Sequence, residues 1–139
     1  MRQSKIFVTV DALIFRKLST AVEILLIQRK NDPFKGAWAI PGGFVDEHED
    51  LEDAAKRELM EETGIDLDEL QQVQAFGKPH RDPRSHTVSV AFCGWAAPDT
   101  IAKAADDAAD AKWFSIDELP ELAFDHSEII GVTREKLGI

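Results

Sequence analysis

Gly43-Phe44-Val45-Asp46-Glu47-His48-Glu49-Asp50-Leu51-Glu52-Asp53-Ala54-Ala55-Lys56-Arg57-Glu58-Leu59-Met60-Glu61-Glu62-Thr63-Gly64-Ile65 is the stretch from which the rest of this 139-residue chain is read. Its second part predicts a helix from about Asp50 to Thr63, with Asp50 as N-cap and Gly64 as the C-terminal stop. On a helical wheel Leu51, Ala54 and Ala55 share one face with Leu59 at its edge, and Glu58, Glu61 and Glu62 fall in the same sector. Asp53, Lys56 and Thr63 take the opposite side. The three glutamates therefore prolong the stripe a helix normally buries. Glu58 precedes Glu61 and Glu62 by three and four residues, which brings like charges to within roughly 5–6 Å at Cβ. Two readings follow: an exposed acidic helix end, or a trio held together by a cation. Oxygen ligands without His or Cys suit a hard ion, Mg²⁺ or Mn²⁺, better than Zn²⁺.

Working outward, Ile6 to Phe15 reads as a strand with Ile6, Val8, Val10, Ala12 and Ile14 on one face and Asp11 on the other, and Val22 to Ile27 reads as a second. Asn31 to Gly36 is a loop, and Pro41-Gly42-Gly43 breaks the chain after Trp38-Ala39-Ile40. Downstream, Gln71 to Phe76 and Thr87 to Trp95 are expected strands, joined by a polar connection from Gly77 to His86. Ala96 to Ala111 reads as loop and Lys112-Trp113-Phe114 as a short strand. Ser115 with Glu118, and Asp125 with Glu128, have capping-box spacing, predicting a short helix ending near Pro120 and a longer C-terminal helix. Strands interleaved with two substantial helices imply an α/β fold, an α/β/α sandwich with a mixed sheet between helices, in one domain over residues 1–139.

Lys and Arg number 16 against 26 Asp and Glu, for a formal charge of -10, which disfavours nucleic-acid and anionic-membrane partners. A phosphate substrate then requires metal cations or a local basic patch. No apolar run approaches the roughly 18 residues of a membrane span, and the N-terminus leads into a strand pattern instead of a signal-like block, so the expected location is cytoplasmic. Cys93, within an apolar run, reads as a small core residue and not as a catalyst.

Gly43, five residues, Glu49, seven residues, then Arg57-Glu58-Leu59-Met60-Glu61-Glu62-Thr63-Gly64-Ile65 matches the Nudix box at every constrained position, and the chain thereby resembles the Nudix hydrolases. The resemblance implies that Glu58, Glu61 and Glu62 are the metal-binding and water-positioning carboxylates, that the Gly42 carbonyl is a further ligand, and that Glu49 pairs with Arg57 to orient the helix. It leaves the general base open between a box glutamate and a loop acid, Asp106 or Asp107, with Asp107 also a candidate metal ligand. Glycines at 42 and 43 are expected because backbone must approach the metal and diphosphate closely in an unusual conformation.

The segment His80-Arg81-Asp82-Pro83-Arg84-Ser85-His86, the stretch Leu122 to His126 and the entry Trp38 to Val45 are similar to the ADP-ribose pyrophosphatase group of that family. This implies hydrolysis of ADP-ribose to AMP and ribose 5-phosphate. The alternatives are triphosphate hydrolysis in nucleotide-pool cleansing and a ligand-sensing module like those of some transcription regulators. Against the sensor stand the intact carboxylate set and the 14 residues after Asp125, too few for a winged helix. Arg29, Arg81 and Arg84 offer guanidinium forks for phosphate, or else are ordinary ion-pair arginines, with Asp82 as a partner. Asp11 contacts ribose or base, or makes a structural hydrogen bond. Trp38 and Phe44 stack on a base, or belong to the core. His48 is expected to be exposed, and His86 and His126 are further site candidates. The resemblance also implies a homodimer.

Overall fold

The computed structural model describes residues 3–105 and 108–139. Its elements are β1 (Phe7–Lys17), β2 (Val22–Arg29), β3 (Trp38–Ala39), β4 (Gly42–Phe44), α1 (Leu51–Thr63), β5 (Gln71–Phe76), β6 (Thr87–Ala96), β7 (Ala108–Ser115) and α2 (His126–Leu137). The strands form one mixed sheet in the order β3-β2-β1-β6-β5, with β4 added to β1 and β7 to β2. β1 and β6 run parallel along Phe7–Arg16, and every other strand pair is antiparallel.

Strand β1 is central and apolar on both faces, so alternation sends its side chains into two cores. Val10, Ala12 and Ile14 pack with Leu25, Val90 and Phe92 beneath Ala54, Ala55 and Leu59 of α1. Leu13 and Phe15 pack with Ile24, Leu26, Ala91 and Cys93 beneath Ile129 and Ile130 of α2. The sheet thus lies between the two helices, as the alternation of elements implied. Ile6, Phe7 and Val8 depart from that pattern: the strand's beginning projects beyond both cores and is 49%, 52% and 39% exposed.

One edge of β1 creates an opening in the sheet. Residues Thr9–Asp11 pair with β4, whereas Phe15–Lys17 pair with β2. The two partners diverge from the same edge, and β2 continues to β3 and β7. A gap bounded by the end of β2, β4 and the beginning of β1 results.

Helix α1 has its expected ends: the Asp50 carboxylate accepts from the Leu51 amide, and Gly64 adopts φ 74°, its amide donating to the Met60 carbonyl. Three expectations are corrected. Thr63 is buried, not outward, because residues Lys103 and Ala105 donate backbone hydrogen bonds to the Thr63 and Glu62 carbonyls and cover that end of the helix. β7 begins at Ala108, inside the expected loop, since pairing with β2 imposes strand geometry on a weakly strand-forming Ala/Asp sequence. Ser115–Glu118 is a turn and not a helix: Glu118 N–H donates back to the Ser115 carbonyl, and Pro120 follows too soon for another helical turn. Among the described residues no helix is long and apolar enough to cross a membrane.

Candidate active site

The gap beside β1 opens into a cleft of about 490 Å³. One wall is α1, which presents Glu58, Glu61 and Glu62; the other carries Arg29, Arg81 and Arg84; Gly42, Gly43 and Phe44 of β4 run between them. Asp11, Ser89 and His126 close the inner end. The cleft therefore brings together most of the residues singled out from sequence, from segments far apart in the chain.

On the acidic wall the glutamates are graded in exposure. The Glu62 residue is 8% exposed and its Oε1 accepts from the Gly42 amide at 2.8 Å, while the Glu58 and Glu61 side chains are 15% and 44% exposed. Burial pushes the Glu58 carboxyl above its ordinary value, against the opposing hydrogen bond from Arg57. Arg57 grips Glu49 with both Nε (2.7 Å) and Nη2 (2.9 Å), and turns Nη1 to Glu58 at 2.9 Å and Glu61 at 3.2 Å. The same hydrogen bond, with one from the Asp46 amide, holds the Glu49 carboxyl down at about 2. The bond to Glu49 also raises the Arg57 pKa, so the guanidinium stays charged throughout the working range.

The glycines are needed here for space. Neither Gly42 nor Gly43 has the positive φ expected of an unusual conformation. A Cβ on Gly42 would stand 2.1 Å from the Val10 carbonyl oxygen, and one on Gly43 would stand 2.6 Å from the Glu58 carboxylate. Any side chain at 43 would push Glu58 out of the acidic wall.

The basic wall is built differently. Arg81, whose side chain is only 6% exposed, forms a two-point pair with Asp125 (2.9 and 2.6 Å). Arg84 takes Asp82 instead, through Nε at 3.1 Å and Nη2 at 2.7 Å. Its guanidinium stands between Phe44 and Phe124, 5.5 and 5.4 Å from the ring centroids. Arg29 donates to the Pro33 carbonyl at 2.7 Å and lies 5.0 Å from the Phe124 ring; burial and the nearby Arg84 lower its pKa.

Some candidates are placed elsewhere. Trp38 does not line the cleft: it packs edge-on against Phe114, 4.8 Å between centroids, in the core layer under α2. Asp11, by contrast, lines the inner end of the cleft, its carboxylate accepting from the Ser89 hydroxyl and facing His126 Nε2 at 3.8 Å. His48 is exposed, and His86, also exposed, contacts the Gly77 carbonyl. Asp106 and Asp107 lie outside the described residues. The second capping box is not realised, because the Asp125 carboxylate that would cap α2 is committed to Arg81.

Sequence reasoning did not single out Phe124 as a cleft aromatic, Ser89 as the partner of Asp11, or Asp125 as the partner of Arg81. Ser89 carried a signal: a polar residue in a buried strand, brought opposite Thr9 by the β1–β6 register. For the Arg81–Asp125 pair, 44 residues apart, there was none.

The NUDIX domain model matches residues 5–132.

The chain belongs to the Nudix family.

Among relatives, an ADP-ribose pyrophosphatase of Methanocaldococcus jannaschii is 47% identical over 111 residues, covering 78% of this chain and 63% of that protein. The ADPR responsive transcriptional repressor NtrR of Acinetobacter baylyi is 38% identical over 126 residues, covering 88% of this chain and 50% of the repressor. This Nudix chain thus spans between half and two thirds of the length of those relatives. Among solved structures, the NUDIX domain of Shewanella oneidensis NrtR complexed with ADP ribose superposes with a TM-score of 0.90 at 33% identity, covering 97% of this chain and 90% of that one.

Nudix hydrolases generally use divalent metal ions, and Glu58, Glu61 and Glu62 on the acidic wall fit one in chemistry, since they offer carboxylate oxygens. Among the described residues no three such groups already converge as ligands around one point. The Arg57 guanidinium instead bridges Glu58 and Glu61, which shows that the two carboxylates already share a cation.

Proposed function

We propose that this protein hydrolyses the diphosphate bond of ADP-ribose, giving AMP and ribose 5-phosphate, with Mg²⁺ or Mn²⁺ as cofactor. The observation that carries the reading is the opposition of an acidic and an arginine-bearing wall across one cleft, in a chain 47% identical to an ADP-ribose pyrophosphatase. Glu58, Glu61 and Glu62 would hold the ion, with the Gly42 carbonyl beside them. Such an ion supplies charge neutralisation on the phosphate oxygens and acidifies water.

The remaining work belongs to the chain. Arg29 and Arg84 meet the diphosphate and ribose ends with planar donors, their charge set against phosphate oxygens in a partly dry cleft. Phe44 and Phe124, on either side of Arg84, give the cleft an apolar surface suited to an adenine ring. Arg57 holds Glu58 and Glu61 in place through its anchor on Glu49, so the carboxylates are oriented before substrate arrives. A raised Glu58 carboxyl is suited to accepting a proton from the attacking water, and Asp107 is the loop alternative for that role.

The likeness to an ADPR responsive repressor favours a second reading, a module that binds ADP-ribose without cleaving it. One measurement separates these readings from triphosphate hydrolysis: kcat/KM for ADP-ribose against nucleoside triphosphates with Mg²⁺. ADP-ribose is expected to lead by roughly tenfold or more, a gap of about 1.4 kcal/mol in transition-state binding. A better triphosphate substrate would overturn the ADP-ribose assignment in favour of triphosphate hydrolysis, and ADP-ribose that binds and is never cleaved would overturn hydrolysis in favour of the binding module.

A further inference from the structure

His126 is the first residue of α2, 5% exposed, and it reaches the cleft from the side opposite α1. Its Nδ1 accepts from the backbone amide of Ile40 at 3.0 Å, across 86 residues of chain. A nitrogen that accepts carries no proton, so the proton sits on Nε2, which faces the Asp11 carboxylate. Asp11 is fixed in turn by Ser89, and its Oδ1 lies 2.8 Å from where a Cβ on Gly42 would stand. Burial also lowers the His126 pKa, consistent with a neutral ring.

The bond to Ile40 is one of three that fasten consecutive residues to three different elements. Ile40 N–H goes to α2 through His126, the Pro41 carbonyl accepts from Ala12 of β1 at 2.8 Å, and Gly42 N–H goes to Glu62 of α1 at 2.8 Å. Ile40 is 2% exposed, so its amide has no route to bulk water if the imidazole is lost. The neighbour of His126, Asp125, holds Arg81 on the basic wall. Two adjacent residues at the start of α2 thus reach both walls.

We propose that His126 is a positioning residue: through Ile40 it fixes the Gly42 peptide that orients the Glu62 carboxylate, and so sets the acidic wall for its divalent ion. The inference rests on the hydrolase reading above, but Mn²⁺ binding by the protein alone tests it separately. His126→Phe retains a buried ring and removes the acceptor; His126→Asn restores an acceptor and a donor. Affinity for Mn²⁺, read by electron paramagnetic resonance without substrate, is expected to fall roughly 10- to 100-fold in His126→Phe. The kcat for ADP-ribose should fall by a similar factor with KM within about twofold, and His126→Asn should recover most of both. Unchanged Mn²⁺ affinity in folded His126→Phe, or equal impairment in both variants, would overturn the proposal. If His126→Phe does not fold, ring-nitrogen chemical shifts of the wild-type protein decide: an accepting, unprotonated Nδ1 at neutral pH supports it, and a protonated Nδ1 refutes it. If the wild-type protein binds Mn²⁺ without cleaving ADP-ribose, the hydrolase reading fails while the affinity comparison still stands.

Discussion

The two walls of the cleft balance charge in opposite ways. On α1 a single guanidinium, Arg57, lies within ion-pair distance of four carboxylates, those of Asp46, Glu49, Glu58 and Glu61. Across the cleft Arg81 and Arg84 each take one acid, Asp125 and Asp82. The first arrangement leaves negative charge in excess; the second pairs two of its three arginines one to one and leaves Arg29, bonded to the Pro33 carbonyl, as its excess positive charge. Under the proposed function, an acidic protein of charge -10 would receive a polyanion at this cleft because its excess carboxylate is concentrated where the ion would be held.

Removing charge from the acidic wall is expected to give the largest effect. Glu61→Gln or Glu62→Gln should leave the fold intact and lower kcat by roughly 10²–10⁴, about 3–5 kcal/mol of transition-state stabilisation. Near-normal turnover in both, measured under saturating Mg²⁺, would erase the distinction between the walls.

On the basic wall the two arginines should separate by what they lose. Arg81→Ala strands a carboxylate whose side chain is 19% exposed, and should cost about 2–3 kcal/mol in urea unfolding, less than a fully buried pair. Arg84→Lys keeps a charge for Asp82 but loses the planar fork, and should raise KM for ADP-ribose roughly tenfold with little change in stability. The reverse assignment, with Arg81→Ala affecting only KM and Arg84→Lys only stability, would show that the pairings seen here are not those that matter.

The smallest effect is the pH signature of the Arg57 hub. The Glu49 carboxyl sits at about 2 against an ordinary 4.5, a depressed value, so its contribution to stability is complete above about 4.5 and is lost as pH falls towards 2. Glu49→Gln should therefore lose less stability than wild type between pH 5 and 2, and should lower kcat less than Glu62→Gln does. Parallel acid-unfolding curves for the two proteins would place the hub's anchor elsewhere.

What was legible in the sequence is what neighbours along the chain decide. The helix from Leu51 to Thr63, its Asp50 and Gly64 caps, and the shared face of Glu58 and Glu62 follow from 3.6-residue periodicity and the φ that only Gly64 adopts easily. The apolar face of β1 carried by Val10, Ala12 and Ile14 follows from its alternation in the same local way, whereas the second core under Leu13 and Phe15 was not read from it. Features that depend on pairing between distant segments were not legible. Nothing near Trp38 says that β3 faces the α2 core; the Ala108 end of β7 becomes strand only because β2 offers its edge; and Asp125, spaced for a capping box, is drawn away by Arg81. Sequence spacing determined which side chains this chain would present along each element, because secondary structure is periodic. Only the tertiary structure decided which acid would meet which arginine and that His126 would hold Ile40, because those choices depend on burial and on which partner reaches an unsatisfied group first in space.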